Sequence, residues 1–176
     1  MRIVRAVMSA AAVLAVTAGC GGTEAGTATP TTQAMDNLLN PCTDVPDEWL
    51  VETGLDPASE RNTVNPTEVS SFRICGWNAV DLPYMVDLMS SSKTLEETRK
   101  STTVIVLGEA TIGDRPTLLT RVKSDATDQL TCYLTFPAQQ GSFTVSVGWR
   151  ASHPITADRC ELAVKHATDL EQHLPE

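Results

Sequence analysis

After its N-terminal segment the chain has no apolar run that approaches the roughly 20 residues needed to cross about 30 Å of hydrocarbon. It also lacks the Gly-x-Ser-x-Gly elbow, the His-Glu-x-x-His pair, the phosphate-binding loop and the dinucleotide fingerprint. There is no Cys-x-x-Cys and no Cys/His cluster, which argues against a metal site. No catalytic residue, metal ligand or cofactor is therefore expected. Basic residues are scarce, 13 Lys and Arg against 22 Asp and Glu, for a net charge of −9. A surface of that sign is repelled by phosphate backbones and anionic head groups, so nucleic acid is not an expected partner. No internal repeat is visible.

One short apolar run is present, at the N-terminus. Arg2 and Arg5 precede the uncharged, Ala- and Val-rich stretch from Ala6 to Ala18, which is the charge order of a secretory signal. The run ends in Thr17-Ala18-Gly19-Cys20, which resembles the bacterial lipobox. That resemblance implies a diacylglyceryl group on the Cys20 thiol, cleavage just before it, and acyl chains such as palmitate at the new N-terminus. Val16-Thr17-Ala18 also suits ordinary signal-peptidase cleavage after Ala18. Cysteine arithmetic separates the two readings. The chain has five cysteines, Cys20, Cys42, Cys75, Cys132 and Cys160. With Cys20 lipidated, the other four can pair fully in an oxidising compartment; without it, one odd exposed thiol remains. Two or more acyl chains, at ~0.8 kcal/mol per buried methylene, anchor a protein firmly. The expected partner is thus the membrane, through a lipid anchor, and the expected location is its extracytoplasmic face.

Three regions follow: a lipoprotein signal over residues 1–19, the lipidated cysteine and a tether over 20–38, and one folded domain over 39–176. Losing the signal removes two Arg and no acid, which leaves a net charge of −11. Gly21 to Ala34 is Thr-, Gly- and Ala-rich with no large apolar side chain, so it is expected to be disordered. Its mean reach is roughly 20–25 Å.

Within the domain, Pro46 to Thr53 reads as a short helix closed by Gly54, with Asp44 and Pro46 at its start. Asn62 to Pro66 reads as a turn-rich loop. Strand-like runs follow at Ser70 to Asn78 and Tyr84 to Met89. Thr94 and Glu97 have capping-box spacing before a helix from Leu95 to Lys100. Thr102 to Leu107 and Pro116 to Val122 are β-branched runs split by Gly113-Asp114-Arg115. Leu130 to Phe136 and Phe143 to Trp149 then alternate with period two, as an antiparallel hairpin with one buried face does. The closing helix, capped by Thr156, carries Cys160, Ala163, Ala167, Leu170 and Leu174 on one stripe and stops at Pro175. The expected fold class is α+β: a single antiparallel sheet of five or six strands. A short N-terminal helix, a short middle helix and a long C-terminal helix pack on it, with two disulfides.

Four domain cysteines allow three pairings. Pairing Cys42 with Cys75, and Cys132 with Cys160, pins the first and last helices to the sheet, each bridge stabilising by very roughly 3–4 kcal/mol. The landmarks Asn40-Pro41-Cys42, Cys75-Gly76-Trp77, Ile112-Gly113-Asp114-Arg115-Pro116, Cys132-Tyr133-Leu134, Asp158-Arg159-Cys160 and Leu174-Pro175 resemble a family of actinobacterial envelope lipoproteins known as a domain of unknown function. The resemblance covers residues 40 to 175 and implies that same pairing. It brings no activity and no catalytic residues. The element order also resembles the α/β sandwich of photosystem-associated and nuclear-import-associated small proteins, on topology alone.

The remaining polar residues read as structural. His166 and His173 are expected on an exposed polar face of the last helix and His153 in a loop. Ser90-Ser91-Ser92 reads as a strand-to-helix turn, Asp125 and Asp128 as turn residues, and Asp44, Asp47 and Glu48 as complements to a helix dipole. Of Trp49, Trp77 and Trp149, two are expected in the core and one beside a pocket. The leading functional reading is a non-enzymatic module that binds a small ligand or an envelope protein. The alternative is a structural or inhibitory lipoprotein presenting residues 55 to 68 to a partner. A hydrolase built from Ser152, His153 and Asp158 comes last.

Overall fold

The computed structural model describes residues 37–62, 71–125 and 130–176. In chain order the elements are α1 (Pro41–Asp44), α2 (Asp47–Glu52), β1 (Leu55–Asn62), β2 (Phe72–Ala79), β3 (Tyr84–Ser91), α3 (Leu95–Lys100), β4 (Val104–Ile112), β5 (Arg115–Val122), β6 (Thr131–Ala138), β7 (Gly141–Trp149) and α4 (Arg159–Glu171). The signal segment, Cys20, the tether up to residue 36, residues 63–70 and Asp128 lie outside the described residues.

Seven strands form one antiparallel sheet in the order β1-β2-β3-β7-β6-β5-β4. Two meanders, β1–β3 and β4–β7, meet where β3 pairs with β7 from Tyr84↔Trp149 to Ser91↔Ser142. The expectation of five or six strands is corrected to seven. The added strand is β1, which replaces most of the loop expected over residues 55 to 68. Its sequence, Leu-Asp-Pro-Ala-Ser-Glu-Arg-Asn, has no β-branched residue, so its pairing with β2 comes from tertiary context. Pro57 is tolerated because β1 is an edge strand. The short N-terminal helix expected over Pro46 to Thr53 is present as α2, and a further helical turn, α1, precedes it, separated from it by Val45 and Pro46.

The core lies on one face of the sheet. Cys75 and Trp77 of β2, Tyr84, Val86 and Leu88 of β3, Leu134 and Phe136 of β6, and Phe143, Val145, Val147 and Trp149 of β7 point into it. Helix α4 covers them with Ala163, Ala167, Leu170 and Leu174, and α2 adds Leu50. Each Leu or Phe fully buried here contributes about 1.5–3 kcal/mol. Cap chemistry sets the helix ends. Asp158, two residues past the expected Thr156, accepts from Cys160 N and Glu161 N. Thr94 and Glu97 form the reciprocal capping box of α3. The β6–β7 turn needs glycine at 141: φ is +138°, and a Cβ there would meet the Ser91 carbonyl oxygen at 2.4 Å.

Both bridges cross between a helical segment and the sheet. Cys42 at α1 joins Cys75 in β2, and Cys132 in β6 joins Cys160 at the first turn of α4. At the far end of α4, Arg115 pairs with Glu171 at 2.8 Å and donates to the carbonyls of Leu174 and Pro175. Its guanidinium lies over the Phe136 ring. That one side chain ties the β4–β5 turn to the end of the helix.

Candidate functional site

Two polar assemblies stand out, one inside the core and one on the other face of the sheet. The first corrects an expectation. His166 is fully buried rather than on an exposed face. It lies three residues after Ala163 and four before Leu170, so it falls on the apolar stripe itself. Its ring lies 2.7 Å from Thr53 Oγ1 through Nδ1 and 2.9 Å from the Tyr84 hydroxyl through Nε2. The Thr53 hydroxyl has one proton and donates it to Asp169 Oδ2 at 2.7 Å. Thr53 oxygen must therefore accept from His166 Nδ1–H, which leaves Nε2 to accept from Tyr84. Lys165 closes the network on Asp169 and the Thr53 carbonyl.

Burial, followed by the Lys165 ammonium, pushes the His166 imidazole down to about 4 against the opposing pull of Asp169. Burial works to raise the Asp169 carboxyl, but hydrogen bonds from Thr53 and Lys165 carry it below its ordinary value. The network is satisfied and holds a neutral imidazole. It locks α4 to α2 and β3.

The second assembly lies on the face turned away from α4. The register sets one row straight across the strands: Arg61↔Gly76↔Asp87↔Ser146↔Tyr133↔Thr120. Flanking rows on the same face carry Ile74, Met89 and Thr144 on one side and Asn78, Met85 and Gly148 on the other. Arg61 reaches over Gly76 to pair with Asp87 at 2.8 Å, each side chain roughly 30% exposed. The glycine is a geometric requirement. A Cβ at position 76 would sit 2.1 Å from Asp87 Oδ1 and 2.6 Å from Arg61 Nη2. Ser146 Oγ donates to the other Asp87 oxygen at 3.4 Å.

Burial lifts the Asp87 carboxyl above its ordinary value, over the opposing effects of Arg61 and Ser146. Burial and then the Asp87 charge push the Tyr133 phenol up. Helix α3 covers the β5–β6 side of this face. Ser142 holds the Lys93 carbonyl at 2.7 Å, the Lys93 ammonium lies over the Phe72 ring, and Arg99 pairs with Glu109. The strip over β2, β3 and β7 thus sets a carboxylate, a guanidinium and hydroxyls beside two methionines. Such a surface can recognise a ligand that has both polar and apolar parts.

The family model described as "Protein of unknown function (DUF3558)" matches residues 15–173. The chain belongs to that family. No curated protein and no solved structure matches it. For this DUF3558 chain, the landmarks quoted for the resemblance now have physical roles. Gly76 admits the Arg61–Asp87 pair between Cys75 and Trp77, Asp158 caps α4 ahead of Cys160, and Arg115 docks the residues after α4.

The other residues singled out in the sequence fall in separate places. Ser152 and His153 are exposed and bonded to each other at 3.0 Å, while Asp158 Oδ1 is engaged as the helix cap. Ser90 and Ser91 are buried at the end of β3 rather than in a turn. Asp125 is buried and accepts from Leu130 N and Thr131 N. Asp44 accepts from Asn40 N at α1. Trp77 and Trp149 are in the core, and Trp49 stacks on His173 at 4.6 Å. Sequence reading missed the Arg61–Asp87 pair because β1 carries no strand pattern. It missed His166 because its place on the stripe was not counted.

Proposed function

We infer that this protein is an extracytoplasmic lipoprotein, held to the outer face of a membrane through Cys20, whose folded domain binds a ligand on the sheet face around Arg61 and Asp87. One observation carries the first half. All four cysteines of the domain are consumed in Cys42–Cys75 and Cys132–Cys160, so no other cysteine of the five in the chain is left to bridge to Cys20. Bridges of this kind persist in oxidising compartments, and an unpaired cysteine after a signal-like run is the chemistry that lipidation uses. The binding half is supported by the row of polar groups on the strip beside α3, set on rigid strands rather than on loops.

The test has two arms. Replacing Cys20 with Ala moves the exported chain from the membrane fraction to the soluble extracytoplasmic fraction; a chain that stays membrane-bound, or stays in the cytosol with reduced thiols, contradicts the anchor. Native mass spectrometry of the domain purified from its own host reads the second arm. A co-purifying small molecule present in the natural chain and lost from Arg61→Ala and Asp87→Ala supports the site, and a bare protein mass in every form contradicts it.

A further inference from the structure

Seven large apolar side chains are exposed among the described residues: Val51, Val80, Leu82, Val106, Leu107, Leu130 and Ile155. Exposed apolar residues scattered singly need no explanation. These are not scattered. Val106 and Leu107 lie on the edge strand β4, while the other five gather at one end of the sheet. Val80 and Leu82 are in the β2–β3 turn, Leu130 directly precedes β6, Ile155 follows β7, and Val51 is on α2 just before β1. Backbone hydrogen bonds tie these segments together: Val80 N to Gly54 O at 3.1 Å, Arg150 N to Pro83 O at 3.0 Å, and Trp149 N to Leu130 O at 3.4 Å. Val80 is 66% exposed and Leu130 57%.

The opposite end is of a different kind. Its described turns are Ser92-Lys93, Gly113-Asp114 and Gln139-Gln140. Residues 37–40 arrive there, since Leu39 N–H donates to Gln140 Oε1 at 3.3 Å. The segment leading back to Cys20 therefore leaves from the end farthest from the apolar tips, about 26 Å away along an eight-residue strand.

We propose that the apolar end is a docking surface for a protein partner whose contact face has an apolar centre bordered by Lys or Arg. The border follows from charge. Asp81 lies between Val80 and Leu82, and Glu48 is one helical turn from Val51 on α2, both exposed, whereas Arg150, beside Pro83, is partly buried. Complementary charge around an apolar centre steers and orders such a contact. The same acids oppose insertion of these tips into an anionic bilayer. An anchor at Cys20, the part that rests on the reading above, joins the domain at residues 37–40, on the end away from the tips, so attachment leaves the tips uncovered.

The test places a photoreactive residue in turn at Val80, Leu82, Leu130 and, as control, Asp114, in the full chain in the membranes of its own host. The three tip positions yield one protein adduct of common mass, and Asp114 yields none. Val80→Asp, at a site too exposed to affect folding, lowers the Leu130 adduct at least tenfold. Asp81→Lys lowers it several-fold at low salt. Equal adducts from Asp114, adducts to lipid alone, no adduct, or insensitivity to both substitutions overturns the proposal. Melting temperatures of both variants stay within about 2 °C of the parent. The mass of the Cys20 peptide is read from the same membranes, so an unmodified Cys20 beside an intact adduct removes the anchor and leaves the docking surface standing.

Discussion

His166 is neutral in the folded chain and surrounded by groups that require it to be so. Tyr84 donates to Nε2 and Thr53 accepts from Nδ1, so a second ring proton has no acceptor without turning the Tyr84 hydroxyl away. In the unfolded chain the imidazole titrates near 6.5, and in the folded chain near about 4. Between those values the unfolded state binds more protons, so stability is complete above pH 6.5 and falls as the pH drops to about 4. The loss reaches at most roughly 3 kcal/mol. Urea unfolding at pH 7, 5.5 and 4 reads this directly, and His166→Gln, which keeps a donor and an acceptor without titrating, flattens that part of the profile. An unchanged slope in His166→Gln places the pH dependence elsewhere. At Gly76, substitution by Ala pushes Arg61 and Asp87 apart and costs about 1–2 kcal/mol. A double-mutant cycle locates the cost, which shrinks when Asp87 is already Ala. The structural role of neither residue was legible in the sequence. His166 needed its helical phase counted, and the pairing of Arg61 with Asp87 depends on a register set by β1.

At the scale of elements, the pattern of the chain was legible wherever local chemistry and tertiary context agree. Alternation located β6 and β7, β-branched runs located β4 and β5, and the Thr94–Glu97 spacing located α3 with its ends at Leu95 and Lys100. It was not legible where the sheet imposes a strand on turn-forming residues, as in β1, or where an extra helical turn, α1, forms ahead of the expected helix α2. Local caps carry measurable weight. Thr94→Ala removes the hydroxyl half of the capping box, the acceptor for Glu97 N–H, and leaves the Thr94 N–H to Glu97 half in place; it costs about 1 kcal/mol, seen as a lower urea midpoint with an unchanged m-value. Arg115 is the larger case. Its three carbonyl contacts and the Glu171 pair are lost in Arg115→Ala, at a cost of about 1.5–3 kcal/mol for a hydrogen-bonded charge. Hydrogen exchange then quickens at residues 172–176 and in the β4–β5 turn, while the centre of β7 keeps its protection. Uniform acceleration across the sheet would show that Arg115 holds the whole fold instead.

For the whole molecule, the division of labour follows from the sheet's two faces and two ends. One face is closed by α4 and stapled at Cys132–Cys160, while the other carries the Arg61–Asp87 row beside α3. One end receives the chain at residues 37–40 and the other exposes Val80, Leu82 and Leu130. Under the location proposed above, outside the cytoplasm, the chain's two bridges stay closed. Membership of the DUF3558 family sets the frame; the binding role is our proposal. The most direct measurement is the intact mass of the native chain extracted from its host's membranes, with thiol-blocking before and after reduction. The expected result is a polypeptide beginning at Cys20, heavier by a diacylglyceryl group and an acyl chain, with no blockable thiol until four are released on reduction. A chain that retains residues 1–19, carries no lipid and presents free thiols before reduction contradicts it.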